Sequence, residues 1–282
     1  MAGGVLYVVA TPIGNLEDVT LRALRVLREV DVVAAEDTRR TRVLLQHHGI
    51  AKPLVAYHDA VERTRAPGLV ERLRRGESVA LVSDAGTPGI ADPGYHLVRQ
   101  ALVAGVRVVP IPGPSAVAAI TSVAGLPVDR FAFEGFLPNR SAARRRRLGE
   151  LAREARALVF LEAPTRVVAM LDDALGALGD REAVVGRELT KLHEEILRGR
   201  LSDVRAALAG RAKVLGELVI VVTGAPDAAA GGTPLDLDAQ IRRLRAEGLG
   251  VRDVAARLAA ETGRPRRQIY QRALELQRGG AA

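Results

Sequence analysis

The chain has no cysteine, which excludes a disulfide framework, thiolate chemistry and any zinc site built on sulfur. Aromatic residues make up 3% of its 282 positions, so the cores must be assembled from Val, Leu, Ala and Ile, and an apolar content of 48% supplies them. No window approaches the roughly 18 consecutive apolar residues of a membrane-spanning helix. The opening stretch MAGGVLYVVATPIGN has no basic segment ahead of its apolar run, and it reads as mature chain rather than a signal peptide. These absences together point to a reducing, cytoplasmic setting. Lysine is scarce as well: Lys52, Lys191 and Lys213 are the whole set. The net charge of +8 and the isoelectric point near 10.6 therefore rest on arginine. A basic balance of this size points to a polyanionic partner, nucleic acid first, although a codon-driven excess of surface arginine gives the same total.

Two phosphate-binding fingerprints are missing too. There is no GxxxxGK[ST], and no GxGxxG follows any strand-like run, so neither a P-loop nor a Rossmann dinucleotide site is expected. The five histidines are scattered and suggest no metal site.

What is present is a βα alternation. Apolar runs at Val5–Ala10, Asp31–Ala35, Leu54–Tyr57, Ser78–Val82 and Val106–Ile111 are separated by segments of helical spacing. One helix follows Thr20, a plausible N-cap; EDTRRTRVLL opens another. This order predicts a mostly parallel, covered sheet. Around residues 127–138 the pattern changes. FAFEGFLP holds three of the four phenylalanines, and the basic helix SAARRRRLGELAREAR follows. A second series then runs through strands at Ala157–Leu161, Glu182–Arg187 and Glu217–Val222, with helices at Thr165–Leu178 and Leu201–Leu208. The length suits two compact domains and a short appendage. We divide the chain into an N-terminal α/β domain (1–114), a second α/β domain (115–224), a linker (225–237) and a helical module (238–282). Three Arg-rich helical pieces at Asp238–Glu247, Val251–Glu261 and Pro265–Gln277, punctuated by Gly248, Gly250 and Gly263, suggest a helix-turn-helix-like unit; a plain helical cap or dimerisation arm fits them equally.

The loop VSDAGTPGIADPG, residues 82–94, sets three glycines and two prolines around two aspartates. Pro88 and Pro93 remove amide donors that a phosphate cradle needs. Stiff Pro and permissive Gly suit a shaped pocket wall instead. Asp84 stands at the C-terminal end of a strand, where open α/β sheets bind ligands. Asp92, before Pro93, reads as the N-cap of a 93–104 helix. TPIGN (11–15), PIPGPSA (110–116) and EAPTR (162–166) share this character at three other strand ends, and as a set they suggest one cleft.

VATPIGNLEDVTLRAL, AAEDTRRT, LVSDAGTPGIADPG, PGPSA, FEGFLP, EAPTR, RELTKLHEE and GELVIVV occur in this order. Over residues 5–222, and more weakly in the C-terminal module, they resemble the ribosomal small subunit methyltransferase I family, of the tetrapyrrole-methylase superfamily of S-adenosylmethionine enzymes. The resemblance implies two α/β domains of the tetrapyrrole-methylase type with a cofactor cleft between them, plus the small C-terminal helical module. The implied reaction is 2′-O-methylation of a cytidine in the decoding region of 16S rRNA, on the small ribosomal subunit, by a homodimer. Neither membrane nor DNA partners are implied, and no metal. A small-molecule methylase acting on a tetrapyrrole shares the fold and is the alternative; the arginine runs argue against it.

By the same resemblance, Pro12, Asp84, Gly86, Thr87, Gly89, Ile90, Ser115, Ala116, Leu161, Ala163, Thr190 and Val219 would contact the cofactor. Methyl transfer to a weakly acidic 2′-OH is helped by a base or an alkoxide stabiliser. Asp37, Lys191 and His193 are the candidates, with Asp37 open to the plainer role of a carboxylate at a helix N-terminus. Arg39 and Arg40 would meet rRNA phosphates near the reacting nucleotide. Arg144, Arg145, Arg146 and Arg147, on an exposed-looking helix, would extend that footprint; four in a row cannot share one face. Glu162 and Arg166 suit a structural ion pair.

Overall fold

The apolar runs pair into two sheets. The structure, a computed structural model, describes residues 4–226, 237–262 and 266–279. Two compact units divide the chain, Met1–Thr223 and Gly224–Ala282.

The first sheet of the larger unit contains β1 (Val5–Val9), β2 (Val32–Ala35), β3 (Leu54–Ala56), β4 (Val79–Val82) and β5 (Arg107–Ile111). Its order is β3-β2-β4-β1-β5, and every pairing is parallel. Helices α1 (Leu21–Glu29), α2 (Thr38–His47), α3 (Glu62–Arg74) and α4 (Tyr95–Val103) make the crossovers. β4 shows why its strand is wholly apolar. Val79 and Leu81 join the core beneath α3 and α4, with Leu73 and Leu97. Ala80 and Val82 join the opposite core, with Leu24, Leu27 and Leu45 of α1 and α2. A strand covered on both faces has no polar side to show. Thr20 caps α1 by accepting from the Ala23 N–H at 3.1 Å.

The second sheet contains β6 (Phe131–Phe136), β7 (Ala157–Glu162), β8 (Glu182–Arg187), β9 (Glu195–Arg200) and β10 (Leu218–Val222), in the order β6-β7-β10-β8-β9. β6 runs parallel to β7, and the remaining pairings are antiparallel. Two of these strands, β6 and β9, were not foreseen: neither shows clean alternation, because each lies at an edge and carries Gly and charged residues. Helices α6 (Ser141–Glu150), α7 (Val167–Leu178) and α8 (Leu201–Ala209) cover one face around Phe160, Met170, Leu171 and Ile220. α5 (Ala116–Val123) covers part of the other. There Val159, Val219 and Val221 share a core with Ile120 and with Ile13 and Ala85 from the first sheet's loops. That shared core locks the two sheets into one unit and leaves a cleft between them.

The second unit contains α9 (Leu237–Ala246), α10 (Val251–Thr262) and α11 (Arg266–Gly279). Ile241, Leu244, Val254, Leu258 and Ile269 form its core, and Arg272 pairs with Asp238 across it at 2.6 Å. Most of the expected linker, residues 227–236, lies outside the described residues, as do Gly263 and Pro265. No helix among the described residues is long and apolar enough to cross a membrane.

Candidate functional site

A cavity of about 550 Å³ opens between the two sheets, within the ~300–1,000 Å³ of ordinary small-molecule sites. Its first half is made by loops at the C-terminal ends of the parallel strands. After β1, Thr11 donates its N–H to the Gly86 carbonyl (2.8 Å) and accepts from the Gly86 N–H (3.0 Å). The Thr11 hydroxyl also donates to the Ser83 carbonyl at 3.1 Å. This bridge holds the TPIGN loop against the 82–94 loop and presents Ile13, Ala85, Gly86 and Thr87 to the cavity. Gly86 sits at φ +79°, a conformation that L side chains resist. Ser115 caps α5 and, with Ala116, lines the wall.

Carboxylates dominate this half. Glu36, Asp59, Asp84 and Asp92 all line it. The Asp84 carboxylate accepts from the Asp37 N–H at 2.8 Å, and the Asp84 N–H donates to the Glu36 carboxylate at 3.2 Å. Arg40 offsets part of the charge, 3.5 Å from Asp84. Burial, then the neighbouring negative charge of Glu36, raises the Asp92 carboxyl to about 7. Burial raises Glu36 as well. A protein of net charge +8 thus holds a concentrated negative spot in its main cleft. Among the described residues no group of His, Asp or Glu side chains is arranged to hold a metal ion. The donor set instead fits an organic cation, with carboxylates for its charge and Ile13, Leu161 and Val219 for its apolar part.

The second half comes from the second sheet. β7 ends at Leu161 and Glu162, followed by Ala163, and all three line the cavity. Glu162 is 2% exposed; it accepts from the Ala163 N–H and pairs with Arg166 at 3.1 Å, the ion pair expected of EAPTR. From β10 comes Val219, and from β6 Phe133 and Phe136. The turn after β8 is strained. Glu188 and Thr190 both adopt left-handed φ (52° and 67°), which is costly for a β-branched residue. The turn delivers Lys191 to the cavity wall. Its Nζ donates to Glu188 (2.8 Å) and Glu217 (3.3 Å). Burial opposes its charge, but these carboxylates outweigh burial and raise its pKa. Lys191 therefore stays an ammonium. Its stem crosses Gly14 so closely that a Cβ there would lie 2.4 Å from the Lys191 Cγ.

Of the residues expected at the site, the cavity wall brings together Asp84, Gly86, Thr87, Ile90, Ser115, Ala116, Leu161, Ala163, Val219, Lys191 and Arg40. Pro12, Gly89 and Thr190 lie next to wall residues without lining it. Asp37 is placed otherwise: it caps α2 by accepting from the Arg39 N–H, and Arg39 clamps its carboxylate at 2.7 and 3.1 Å. Those bonds hold its pKa far below the usual carboxylate range. His193 is exposed and does not line the cavity. Asp92 is not a helix cap, because α4 begins at Tyr95 behind Gly94; it faces the cavity. Arg144 corrects the picture of an exposed run: it is 5% exposed and pairs with Asp173 at 2.7 Å. Arg147 is tied to Glu134 and Glu150, while Arg145 and Arg146 reach solvent. Sequence reasoning missed Glu36, Asp59, Phe133, Phe136 and Glu217. The FEGFLP phenylalanines were the available signal; nothing local marks Asp59.

The tetrapyrrole (corrin/porphyrin) methylase family matches residues 5–205, and the RsmI C-terminal HTH domain matches residues 232–277. The chain is 50% identical over 270 residues to the ribosomal RNA small subunit methyltransferase I of Xylella fastidiosa, spanning 95% of this chain and 98% of that one. It is 48% identical over 282 residues to the Pseudomonas aeruginosa protein of the same name, spanning 98% and 99%. A Thermotoga maritima protein of that name is 48% identical over 221 residues, which are 99% of its length but 78% of this chain, so about a fifth of this chain has no counterpart there. Among solved structures, the methyltransferase CobJ superposes with a TM-score of 0.61 at 20% identity, covering 79% of this chain and 95% of that one. Uroporphyrin-III C-methyltransferase of Thermus thermophilus, solved with S-adenosylhomocysteine, gives 0.54 at 24% identity, covering 78% and 97%. These structures share the fold.

Proposed function

The chain belongs to the ribosomal RNA small subunit methyltransferase I family, and from that premise we propose that it methylates the 2′-oxygen of a cytidine in the decoding region of 16S rRNA. The observation that carries the reading is the acidic, half-apolar cavity at the ends of the parallel strands, set in a strongly basic protein. A cationic donor suits the cavity, and a polyanionic acceptor suits the surface.

The methyl donor is S-adenosylmethionine, which supplies an electrophilic methyl on a sulfonium. Asp84, Glu36 and Asp92 balance its positive charge, and the Asp37 N–H fixes Asp84 in place. Ile13, Leu161 and Val219 exclude water from the apolar side. In such a site fixed charges act more strongly than in water. Lys191, held protonated, would stabilise negative charge as it develops on the acceptor oxygen; the oxygen–methyl bond forms as the sulfur–methyl bond breaks, and the hydroxyl proton leaves to solvent water. Asp37, clamped by Arg39, serves better as a positioning group than as a base, and His193 lies too exposed for either task. Holding donor and acceptor in line supplies much of the rate.

The acceptor is the assembled small subunit, met in the cytoplasm. Arg40 at the cavity edge and Arg145 and Arg146 on α6 contact its phosphates, with Arg39 beside them. The enzyme works as a homodimer; Tyr95, Leu102 and Val103, exposed on α4, offer an apolar face to a second copy.

The test uses methyl-labelled S-adenosylmethionine and small subunits lacking modifications. Label in 16S rRNA at one position resistant to alkaline cleavage, which needs a free 2′-OH, is the expected result. Absence of label despite measurable cofactor binding would favour a small-molecule acceptor.

A further inference from the structure

The segment FAFEGFLP places aromatic side chains in an unusual way. β6 pairs with β7 in register at Phe133↔Val159, then shifts, so that Gly135 faces Phe160 and Phe136 faces Leu161. Glu134 is the extra residue. Without this bulge, Phe133 and Phe136 would fall on opposite faces of the sheet, because side chains alternate. With it, both stand on the face of Val159 and Leu161, and both line the cavity. Re-aiming a side chain beside an active site is a known use of such bulges. Gly135 makes the bulge at φ +61°. Glu134 anchors it by accepting from Arg147 at 2.7 and 3.0 Å.

Phe136 is 54% exposed, although half a phenyl ring left in water forfeits transfer free energy that burial would recover. It also lines a second, adjoining groove of about 270 Å³ with Pro138, Arg146 and Arg147. Arg147 is occupied by Glu134 and Glu150. Arg146 makes no ion pair among the described residues and is exposed. A wet aromatic face and an exposed guanidinium therefore meet in a groove that shares Phe136 with the cavity. Those are the two groups that recognise an unstacked nucleotide: the ring takes the base, the guanidinium a phosphate.

We infer that the base of the acceptor nucleotide, drawn out of the rRNA stack, lies on Phe136 with Arg146 on a flanking phosphate. The inference rests on the rRNA reading above. It gives that reading a geometric reason, because ribose joins base to phosphate. A nucleotide held at both ends across this groove sets its ribose beside the cavity whose wall carries Lys191. An enzyme acting on a nucleotide inside a folded RNA must extract it first, and a stacking platform offsets part of the lost stacking.

The experiment measures kcat and KM for unmodified small subunits, and S-adenosylhomocysteine affinity by calorimetry, for the full chain and for Phe136→Ala, Phe136→Leu, Phe136→Tyr and Arg146→Ala. Expected is a loss in kcat/KM of roughly ten- to a hundredfold for Ala and Leu, the size of one lost base–aromatic stack. Tyr should retain activity within about threefold, Arg146→Ala should raise KM, and cofactor affinity should hold throughout. Activity of Phe136→Leu equal to that of the unaltered chain would overturn the stack. A parallel fall in cofactor affinity would overturn it too, making Phe136 a wall of the cofactor site. An unaltered chain that labels no rRNA would sink the rRNA reading itself, and this inference with it.

Discussion

The two halves of the cavity are built by opposite means. The parallel sheet offers loops at strand ends, stiffened by proline, freed by Gly86 and tied by the Thr11–Gly86 bridge. Its contribution is acidic and rigid. The mixed sheet offers a bulge at Gly135 and a strained turn at Glu188 and Thr190, and it delivers a cation and two aromatic rings, of which Phe136 is exposed and Phe133 half-buried. Helices cover both sheets, yet only the parallel one gathers all its strand ends at one edge. From this contrast we propose a division of labour: the acidic first half holds the charged end of the cofactor, with Leu161 and Val219 of the second half on its apolar part, while Lys191 and Phe136 of the second half face the acceptor.

The sharpest way to break this division is Gly86→Val. A β-branched residue at φ +79° is strained by roughly 1–3 kcal/mol, and the strain falls on the bridge between two wall loops. Calorimetry with S-adenosylhomocysteine should show affinity reduced more than tenfold; unchanged affinity would mean that this loop is not the cofactor wall. Lys191→Ala probes the other half. Turnover should fall roughly a hundredfold, the effect of removing one stabiliser of a developing oxyanion, with cofactor affinity nearly intact. Gly14→Ala should act in the same direction but more weakly, because its Cβ displaces the Lys191 stem without removing the charge. If either variant lost cofactor affinity while kcat held, the division of labour would be wrong.

A smaller effect follows from Asp92. Its carboxyl, raised by burial and by Glu36 to about 7, sits well above the ordinary unfolded value near 3.9. The stability it lends is complete below that unfolded value and is lost as pH rises through about 7. Binding a cation favours the ionised form, so cofactor affinity should rise a few-fold between pH 6 and 8, with proton release on binding. Calorimetry in buffers of different ionisation enthalpy measures this, and Asp92→Asn should flatten it. The smallest expected change is in salt dependence. Arg145→Ala and Arg146→Ala should each lower the slope of log affinity for small subunits against log salt by about one. Equal slopes would move the phosphate contacts elsewhere.

Much of the first half was legible in the chain. TPIGN, SDAGTPG and PGPSA declare themselves because proline and glycine act through their own backbone, and the strand runs between them are apolar on both faces. The second half was harder to read. The bulge in FEGFLP is a property of pairing with β7, and the left-handed turn at RELTK contains no glycine to announce it. Asp92 looked like a helix cap because Asp-Pro often is one; α4 starts two residues later than that reading needs. Asp37 looked catalytic within EDTR, and only the placement of the Arg39 side chain shows its carboxylate occupied.

By itself the sequence determined the alternating elements, the parallel sheet, the basic surface and the loops able to form a pocket wall. Each depends on residues adjacent in the chain, on periodicity, or on simple totals. Tertiary structure alone decided that Asp37 would hold Asp84 across 47 positions, that Asp92 would be gathered with Glu36 in a half-buried acidic cluster, and that of four consecutive arginines Arg144 would be buried on Asp173 while Arg146 stayed exposed beside Phe136. Charge, burial and side-chain direction at a site are set by neighbours in space, and the folding of two sheets against each other chooses those neighbours.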